Sequence, residues 1–376
     1  MLTLAYVRRI IVHRRAFLKA SFALPTAAVV STLPRFTQAN TEGAGKWRVF
    51  EVTTQVEILK PVGVTRVWLP IPLMEDTPYQ KSLGNTWKAD GATASMAQDA
   101  KSGAAFIYAE WPEAAPHPAL QLTSRVATRD YTVDLTKPGT MPKADPKLLA
   151  LYTEPTVLLP TDGIVRDTAK KIVKDVRGGH LEQARAVYDW VVESTFRDPK
   201  TRGCGLGDIK TMLETDNLGG KCADINAMFV GLCRSVGIPA RDAYGVRVAT
   251  SQLGFKSLGK SGDITKAQHC RAEFYLEGHG WVPVDPGDVR KVILEEQPGL
   301  TLQDEVVKRA RAFLFGNWEM NWMAYNYAHD LLLPKTTRGK IGYLMYPQGE
   351  TAEGRLDSLD PENFRYTLTS HELGTT

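Results

Sequence analysis

Hydrophobic and polar residues alternate along much of the chain between residues 46 and about 135. This alternation predicts β-strands, because successive side chains of a strand point to opposite faces of its sheet. Proline and glycine separate the alternating runs, as is typical of turns between short strands. The segment therefore predicts a small, antiparallel, sandwich-like β domain, with candidate strands at 47–56, 65–70, 105–109 and 121–126.

A different spacing of apolar residues begins after residue 160. Residues 162–176 and 181–196 carry apolar side chains three and four positions apart, which is the spacing of one helix face. A third such run begins at Cys222 and ends before Gly237 and Pro239, two residue types that commonly stop a helix. Helices that precede strands of one sheet indicate an α+β fold. The candidate strands lie at 241–249, 270–276 and 281–284.

The stretch between these two parts, residues 136–146, is rich in proline, lysine and threonine and has no apolar period. Such a composition is typical of a linker. The sequence thus predicts a β domain at 46–135, a linker at 136–146 and a larger α+β domain at 147–376.

Residues 1–39 have the composition of a targeting segment. They contain six arginine or lysine residues and no acidic residue, followed by a mildly apolar stretch and a plausible cleavage site after Ala39. The run Arg14-Arg15-Ala16-Phe17-Leu18-Lys19 resembles the twin-arginine export signal. The alternative is a chance arginine pair in an ordinary export signal, which the following Phe-Leu-Lys disfavours. We expect a periplasmic protein that is exported after folding.

The overall charge gives little information about partners once this segment is set aside. The full chain has a formal net charge of +4, but the chain without residues 1–39 holds 40 basic and 42 acidic residues. A balanced chain has no general attraction to nucleic acid or to anionic lipid. The apolar stretch in the targeting segment is also too short to span a bilayer. We therefore expect no nucleic-acid partner, and no membrane partner after signal removal.

The chain has four cysteines, at positions 204, 222, 233 and 270. Their spacing matches neither a disulfide scaffold nor a metal site, so we expect no cofactor and no bound metal. If Cys222 is a working thiol, at most one disulfide can form among the other three. Buried free thiols are the favoured interpretation for Cys233 and Cys270.

Three residues supply the parts of a nucleophilic acyl-transfer site: Cys222, His269 and Asp285. Cys222 opens a helix, whose unpaired N–H groups favour a thiolate. Gly219 and Gly220 precede it and let a substrate approach the backbone closely. The Cys222 N–H group is then a candidate donor to an oxyanion. Each residue alone has an ordinary structural explanation, but their joint occurrence favours catalysis.

The partnership of His269 with Asp285 depends on where the hairpin between them turns. A turn centred on Glu277 places the two residues directly opposite each other, with Cβ atoms about 5 Å apart. A turn centred on His279 instead pairs His269 with Val289 and separates it from the aspartate. The register is therefore a test of the predicted site.

Three separated blocks of the chain occur in an order and spacing found in a known family. They are Gly219-Gly220-Lys221-Cys222-Ala223-Asp224, Cys233-Arg234-Ser235-Val236-Gly237-Ile238-Pro239-Ala240-Arg241 and Gly280-Trp281-Val282-Pro283-Val284-Asp285-Pro286. Together they resemble the transglutaminase-like superfamily, in its bacterial cysteine-protease branch, over residues 181–288. Residues 46–135 resemble, more weakly, the β domain that often precedes this core.

The resemblance implies a papain-like transglutaminase core, in which the nucleophile helix packs on an antiparallel sheet. It also implies a Cys-His-Asp triad, with these roles falling on Cys222, His269 and Asp285. The family usually has tryptophan two residues after the histidine, where this chain has Arg271. Arg271 either meets an anionic group of the substrate or pairs with an acid such as Glu273, and we favour the ion pair.

These features predict an enzyme that acts on amide bonds through a thioester, either as a peptidase or amidase or as a transamidase. The substrate would be a peptide or protein amide, with cell-wall peptide as one candidate. A second hypothesis is a catalytically inactive binding or assembly module that keeps the fold. A third is a nucleotide-dependent enzyme, because residues 254–261 match the P-loop pattern; this requires a helix directly after Ser261.

Overall fold

The computed structural model describes residues 45–375. The predicted targeting segment, residues 1–39, lies outside the described residues. Within the described part, the helices are α1 (Pro146–Leu151), α2 (Gly163–Val173), α3 (His180–Ser194), α4 (Ile209–Glu214), α5 (Cys222–Ser235), α6 (Pro286–Glu295) and α7 (Glu305–Phe313).

The strands of the described part fall mainly into three antiparallel sheets. In chain order they are β1 (Arg48–Ile58), β2 (Thr65–Pro70), β3 (Gln80–Lys88), β4 (Thr93–Gln98), β5 (Ala105–Trp111), β6 (Ala119–Thr128), β7 (Tyr131–Thr132), β8 (Phe196–Arg197), β9 (Gly219–Gly220), β10 (Ala240–Arg247), β11 (Gly262–Asp263), β12 (Gln268–Leu276), β13 (Gly280–Val284), β14 (Asn317–Trp318), β15 (Trp322–Asn326), β16 (Gln348–Thr351), β17 (Gly354–Leu356) and β18 (Phe364–Thr375).

Two five-stranded sheets, with strand orders β11-β18-β1-β6-β3 and β17-β16-β2-β5-β4, form a β-sandwich. The inward side chains of the two sheets meet in one apolar cluster, for example Val56 and Leu122 against Leu69 and Ile107. Alternation of buried and exposed residues along β1 creates this inner face. The predicted antiparallel, sandwich-like arrangement of the N-terminal region is confirmed.

The sandwich also contains strands from the far end of the chain, which the sequence assigned to the α+β part. Strand β18 pairs with β1 along the whole length of β1, and β16 pairs with β2. Strand β1 has β6 as its other neighbour, so β18 covers an edge that would otherwise leave backbone groups unpaired. Residues 348–375 therefore lie in the same two sheets as residues 46–135.

The third sheet, β13-β12-β10-β15, supports the predicted α+β core. Helix α5 packs on β12 and is surrounded by α2, α3 and α6. All but the last of its fourteen residues are buried, so this helix forms the centre of the largest apolar cluster. A helix buried on every side is held rigidly, which suits a helix that carries a reactive group. The predicted α+β architecture is thus confirmed.

The hairpin formed by β12 and β13 turns at neither predicted position. Leu276 pairs with Gly280 and Ala272 pairs with Val284, so the turn is centred on Gly278. The expected direct opposition of His269 and Asp285 is therefore wrong. In this register Asp285 would face Arg271, and His269 is its diagonal neighbour on the same face of the sheet. Glycines with positive φ at 278 and 280 permit this turn (φ 81° and 77°).

Residues 254–261 do not form a P-loop, because the segment after Ser261 is not a helix. Gly262 and Asp263 form β11, which pairs with β18, and a turn and strand β12 follow. A P-loop needs a helix at this point, because the helix N-terminus binds the phosphates. The nucleotide hypothesis is therefore rejected.

Among the described residues, no helix is long and apolar enough to cross a membrane.

Candidate active site

Cys222 is the first residue of α5 and is almost fully buried. The helix start is fixed by Asp224, whose carboxylate accepts hydrogen bonds from the backbone N–H groups of Lys221, Leu206 and Gly207 at 2.9–3.0 Å. These bonds tie the loop before α4 to the first turn of α5. The nucleophile candidate is thereby held in one orientation relative to its surroundings.

His269 and Asp285 are in direct contact. The Nε2 atom of His269 lies 2.8 Å from the Oδ2 atom of Asp285, and both side chains are buried. Strand β12 carries the histidine, while Asp285 follows the end of β13 and caps α6 by accepting from the Asp288 N–H at 3.0 Å. The two side chains that the sequence paired are therefore in contact, in a register that differs from the expected one.

Asn226 connects all three elements of the site. It lies one turn after Cys222 on α5 and is fully buried. Its Nδ2 group donates to the Cys270 carbonyl at 2.8 Å and to Asp285 Oδ1 at 3.2 Å, and its Oδ1 accepts from the Gly287 N–H at 3.1 Å. This side chain therefore fixes α5 against β12 and against the start of α6.

A second buried carboxylate, Asp288, lies beside the pair. Its Oδ1 is 3.4 Å from His269 Nε2 and accepts from Arg247 Nη2 at 2.5 Å. His269, Asp285 and Asp288 bring potential metal ligands within 4.8 Å of one another. However, Arg247 already compensates Asp288, and Arg271 Nε lies 3.6 Å from Asp285 Oδ2. A divalent cation would meet two guanidinium groups there, so the donor set suits a His–Asp pair better than a metal.

The pKa of the Cys222 thiol lies well below that of an ordinary thiol. Hydrogen bonding from Cys204 is the largest cause, followed by hydrogen bonding from Cys270, while burial opposes the shift and His269 adds to it. Cys204 also accepts a backbone bond from Ala223 N–H at 2.9 Å, which places it against the start of α5. A thiolate at neutral pH is the reactive form of cysteine.

The pKa values of His269 and Asp285 are raised, whereas the pKa of Asp288 is lowered. Burial, followed by Arg247, lowers the pKa of His269, but Asp288 and Asp285 outweigh both, so the net shift is upward. Burial and the neighbouring Asp288 raise the pKa of Asp285. Burial likewise opposes ionisation of Asp288, yet Arg247 and His269 hold its pKa far below the usual range. The imidazolium form of His269 is thus favoured.

Arg271 is fully buried and belongs to the support of the site. It donates to the Glu319 carbonyl at 2.9 Å and lies over the ring of Trp322, 4.9 Å from its centroid. Its ion-pair partner is Asp285, while Glu273, the acid suggested from sequence, pairs with Arg241 at 2.7 Å. Burial lowers the pKa of Arg271 to about 10. It does not line the cavity at Cys222.

Cys222 and His269 line a cavity of about 540 Å³. Cys204 and Tyr346 form one wall, and the β-sandwich contributes Phe364 and Tyr366 from β18. A second cavity, of about 750 Å³, shares Cys204, Tyr346 and neighbouring residues with the first. Both volumes fall within the range of about 300–1,000 Å³ that is common for ligand sites.

Sequence patterns missed Asn226, Asp288, Arg247 and the proximity of Cys204. The signal for Asn226 was a polar residue one helical turn after Cys222, between the apolar residues Ile225 and Ala227. No local signal existed for Cys204, which reaches Cys222 through a loop. The four cysteines are all buried free thiols in this structure. Within residues 313–327, Trp318 and Trp322 pack in a buried apolar cluster, so they belong to the core.

Comparison with known proteins agrees with this fold. The transglutaminase-like superfamily profile matches residues 166–286. An uncharacterised protein of Haemophilus influenzae is 33% identical over 344 residues, which is 86% of this chain and 92% of that protein. A crystal structure described as a "Putative Cysteine Protease" from Cytophaga hutchinsonii shares the fold, with a TM-score of 0.50 and 15% identity over 88% of this chain and 99% of that one. The chain therefore belongs to the transglutaminase-like superfamily.

Proposed function

We propose that this protein is a thiol enzyme that cleaves amide bonds through a thioester. In this proposal Cys222 is the nucleophile, His269 moves the proton and Asp285 orients His269. The observation that carries the proposal is the buried 2.8 Å bond between His269 and Asp285, in a cavity that also contains Cys222. A bond of this kind fixes the imidazole tautomer and stabilises the imidazolium.

The chemistry proceeds in two steps. The Cys222 thiolate attacks the amide carbonyl carbon, and the carbonyl oxygen becomes an oxyanion that the Cys222 N–H can stabilise. The C–N bond then breaks as the His269 imidazolium gives its proton to the leaving amine, which leaves an acyl thioester. Since Nε2 faces Asp285, Nδ1 is the ring nitrogen available for exchange with the thiol.

The second step decides the class of enzyme. Water that attacks the thioester gives a peptidase or amidase, and an amine gives a transamidase. In both, neutral His269 removes the proton from the acceptor, and the thiolate is regenerated. A peptide or protein amide, cell-wall peptide included, is the proposed substrate, and the two adjoining cavities offer room on either side of the shared wall.

Labelling with iodoacetamide, read by peptide mass spectrometry, tests the nucleophile. We expect fast modification of Cys222 near neutral pH, absent in Cys222→Ala and slowed in His269→Ala. Cys233→Ala is the matched control, because Cys233 is buried in the core and does not line the cavity. Equal labelling in Cys222→Ala and the unchanged protein would defeat the proposal.

An inactive binding module is the second candidate, and Arg271 in place of the usual tryptophan favours it. The two candidates differ in turnover. A binding module leaves every amide intact, whereas the enzyme forms a thioester that hydroxylamine releases as a hydroxamate. Trapping a peptide mixture on Cys222, followed by hydroxylamine release, therefore separates them.

The proposal also includes export by a twin-arginine route and a targeting segment at residues 1–39. Changing Arg14 and Arg15 to lysine should leave the protein in the cytoplasm, because this route requires the arginine pair. Changing Arg8 and Arg9 to lysine is the matched control and should leave export intact. Cell fractionation measures export. If the variant with lysine at positions 14 and 15 is exported as well as the unchanged protein, the twin-arginine route is contradicted.

A further inference from the structure

The cavity at Cys222 is lined by seven basic residues and by no aspartate or glutamate. Since the described chain as a whole is nearly balanced in charge, this one-sided lining is a local feature. The floor of the cavity contains Arg197, Arg247 and Lys291. The rim contains Arg202, Lys221, Lys260 and Lys266.

The floor cations are only partly compensated by acids. Arg197 and Lys291 share one carboxylate, Glu295, while Arg247 pairs with Asp288. The side chains of Arg197 and Lys291 are 12% and 19% exposed, so solvent screens them weakly. Burial, and next the charge of Arg247, lower the pKa of Lys291. Lys291 thus lies in a mostly buried position near Arg247, where a bound anion would stabilise its charged form.

The rim is open to solvent and also carries more positive than negative charge. Arg202 pairs with Asp357 at 2.6 Å, and Lys260 lies 4.0 Å from the exposed Asp263. Lys221 and Lys266 form no ion pair within 4.0 Å among residues 45–375. Seven cations therefore line the cavity, and the four carboxylates that pair with them are not among its lining residues. Low-dielectric walls with one sign of charge focus the field and raise the local concentration of the opposite ion.

We infer that this cavity selects acidic peptides, with a carboxylate group of the substrate close to the amide that Cys222 attacks. The inference rests on the proposed function for its chemistry, but it concerns recognition. Rim lysines draw the anion toward the mouth, and Lys291 on the floor offers a partner for a carboxylate. Hydrophobic peptides without acidic side chains would lose these interactions and bind more weakly.

Two alkylating reagents of nearly the same size measure this field at the nucleophile. Iodoacetate is an anion and iodoacetamide is neutral, and both form the same S–C bond with loss of iodide. We expect the ratio of their rate constants at Cys222 to exceed the ratio for a small neutral model thiol by about tenfold, and to fall toward it in 0.5 M salt, which shortens the screening length. The ratio cancels any change in thiolate content, since both reagents need the thiolate.

Lys266→Glu is the test variant, because Lys266 is exposed and forms no ion pair within 4.0 Å among the described residues. Its rate ratio should fall by about threefold to tenfold, and the ratio is the readout because it cancels any change in the thiolate content of Cys222. Lys266→Gln should give an intermediate ratio. Lys170→Glu, an exposed lysine of α2 outside the cavity lining, is the matched charge control and should change nothing. A ratio unaffected by Lys266→Glu, or equal to that of the model thiol, overturns the inference.

A binding measurement separates failure of this inference from failure of the proposed chemistry. Cys222→Ala is titrated into dye-labelled peptides that differ only in glutamate, glutamine or lysine beside a central amide. We expect the glutamate peptide to bind at least about tenfold more tightly than the glutamine peptide, and the preference to shrink in Cys222→Ala combined with Lys266→Glu. Equal affinities would reject acidic selection even if Cys222 proves reactive. A clear preference would support it even if Cys222 is inert.

Discussion

The Cys204 thiol lies between the start of α5 and strand β12. Its Sγ lies 3.3 Å from the Gln268 carbonyl oxygen, and its own carbonyl accepts from the Ala223 N–H. Hydrogen bonding with Cys222 is the largest cause that raises the pKa of Cys204, and the same contact lowers the pKa of Cys222. Cys204 therefore keeps its proton and donates it toward the Cys222 thiolate, which is stabilised in return.

Removing this donor should make Cys222 harder to ionise. In Cys204→Ala we expect the pKa of Cys222 to rise, because the stabilised form is the thiolate. The rate of iodoacetamide labelling increases as pH rises through the pKa of the thiol. In Cys204→Ala this rise in rate should therefore occur at higher pH. Labelling near neutral pH should be several-fold slower, while the rate at high pH should be unchanged.

Cys233→Ala is the matched control for this profile. Burial alone raises the pKa of Cys233, which belongs to the apolar core and has no contact with the cavity lining. Cys233→Ala should leave the pH at which the Cys222 labelling rate rises unchanged. If this pH is the same in Cys204→Ala and in the unchanged protein, the Cys204 thiol does not lower the pKa of Cys222.

Asn226 should matter for stability as well as for the site. Asn226→Ala removes three buried hydrogen bonds and leaves the Cys270 carbonyl and the Gly287 N–H without their partner. We expect the free energy of unfolding to fall by about 2–4 kcal/mol, measured by urea denaturation. Asn85→Ala is the control, because its side chain makes only a long contact to Met74 sulfur; a change of about 0.5 kcal/mol or less is expected there. Equal losses would contradict the role of Asn226.

At the scale of elements, the hairpin explains why residue types were easier to predict than their geometry. The pattern of β12 and β13 correctly located both strands, but the three residues between them, 277–279, allow several registers. The observed turn at Gly278 makes His269 a diagonal neighbour of Asp285. The bond forms because Asp285 has left the strand to cap α6, a detail that depends on the packing of α6.

The loop that precedes α4 is fixed to the nucleophile helix through a glycine. Gly205 has a φ of +94°, and a Cβ atom added there would lie 1.8 Å from Asp224 Oδ2. Any side chain at position 205 therefore has to displace the carboxylate that caps α5. The glycine allows the loop to bring Cys204 against Cys222.

Gly205→Ala tests this element contact. It adds a collision with Asp224 to the strain of a left-handed residue, so we expect a loss of more than about 3 kcal/mol in the free energy of unfolding and slower labelling of Cys222. Gly237→Ala, at the other end of α5, has a similar φ of +83° but open space around the added Cβ. It should lose only about 1–2 kcal/mol and keep the labelling rate. Equal effects of the two substitutions would mean that the contact with Asp224 is unimportant.

At the scale of the whole described chain, the β-sandwich forms part of the cavity. Phe364 and Tyr366 line the cavity from β18, and β18 is held by β1 along its length. Local periodicity could not predict this arrangement, because the pairing joins residues that are more than 300 positions apart in the chain. The linker-like composition of residues 136–146 suggested two consecutive domains. The chain instead returns to the sandwich after residue 347.

This arrangement predicts that residues 147–376 do not form a complete enzyme when they are expressed alone. Without β1 and β2, strands β16 and β18 keep only the short strands β17 and β11 as neighbours, and the apolar face around Phe364 becomes exposed. We expect the fragment to aggregate or to unfold without a cooperative transition, and its Cys222 to label like an ordinary thiol.

The matched chain is residues 46–376, which keeps both halves of the sandwich. When unfolding is measured by circular dichroism, this chain should show one cooperative transition. It should also keep the fast labelling of Cys222. A fragment of residues 147–376 with the same cooperative transition and labelling rate would instead make the sandwich dispensable. The sandwich would then be a separate attachment, and the wall formed by β18 could not contribute to substrate selection. Failure of the fragment alone therefore identifies the sandwich as a structural part of the site.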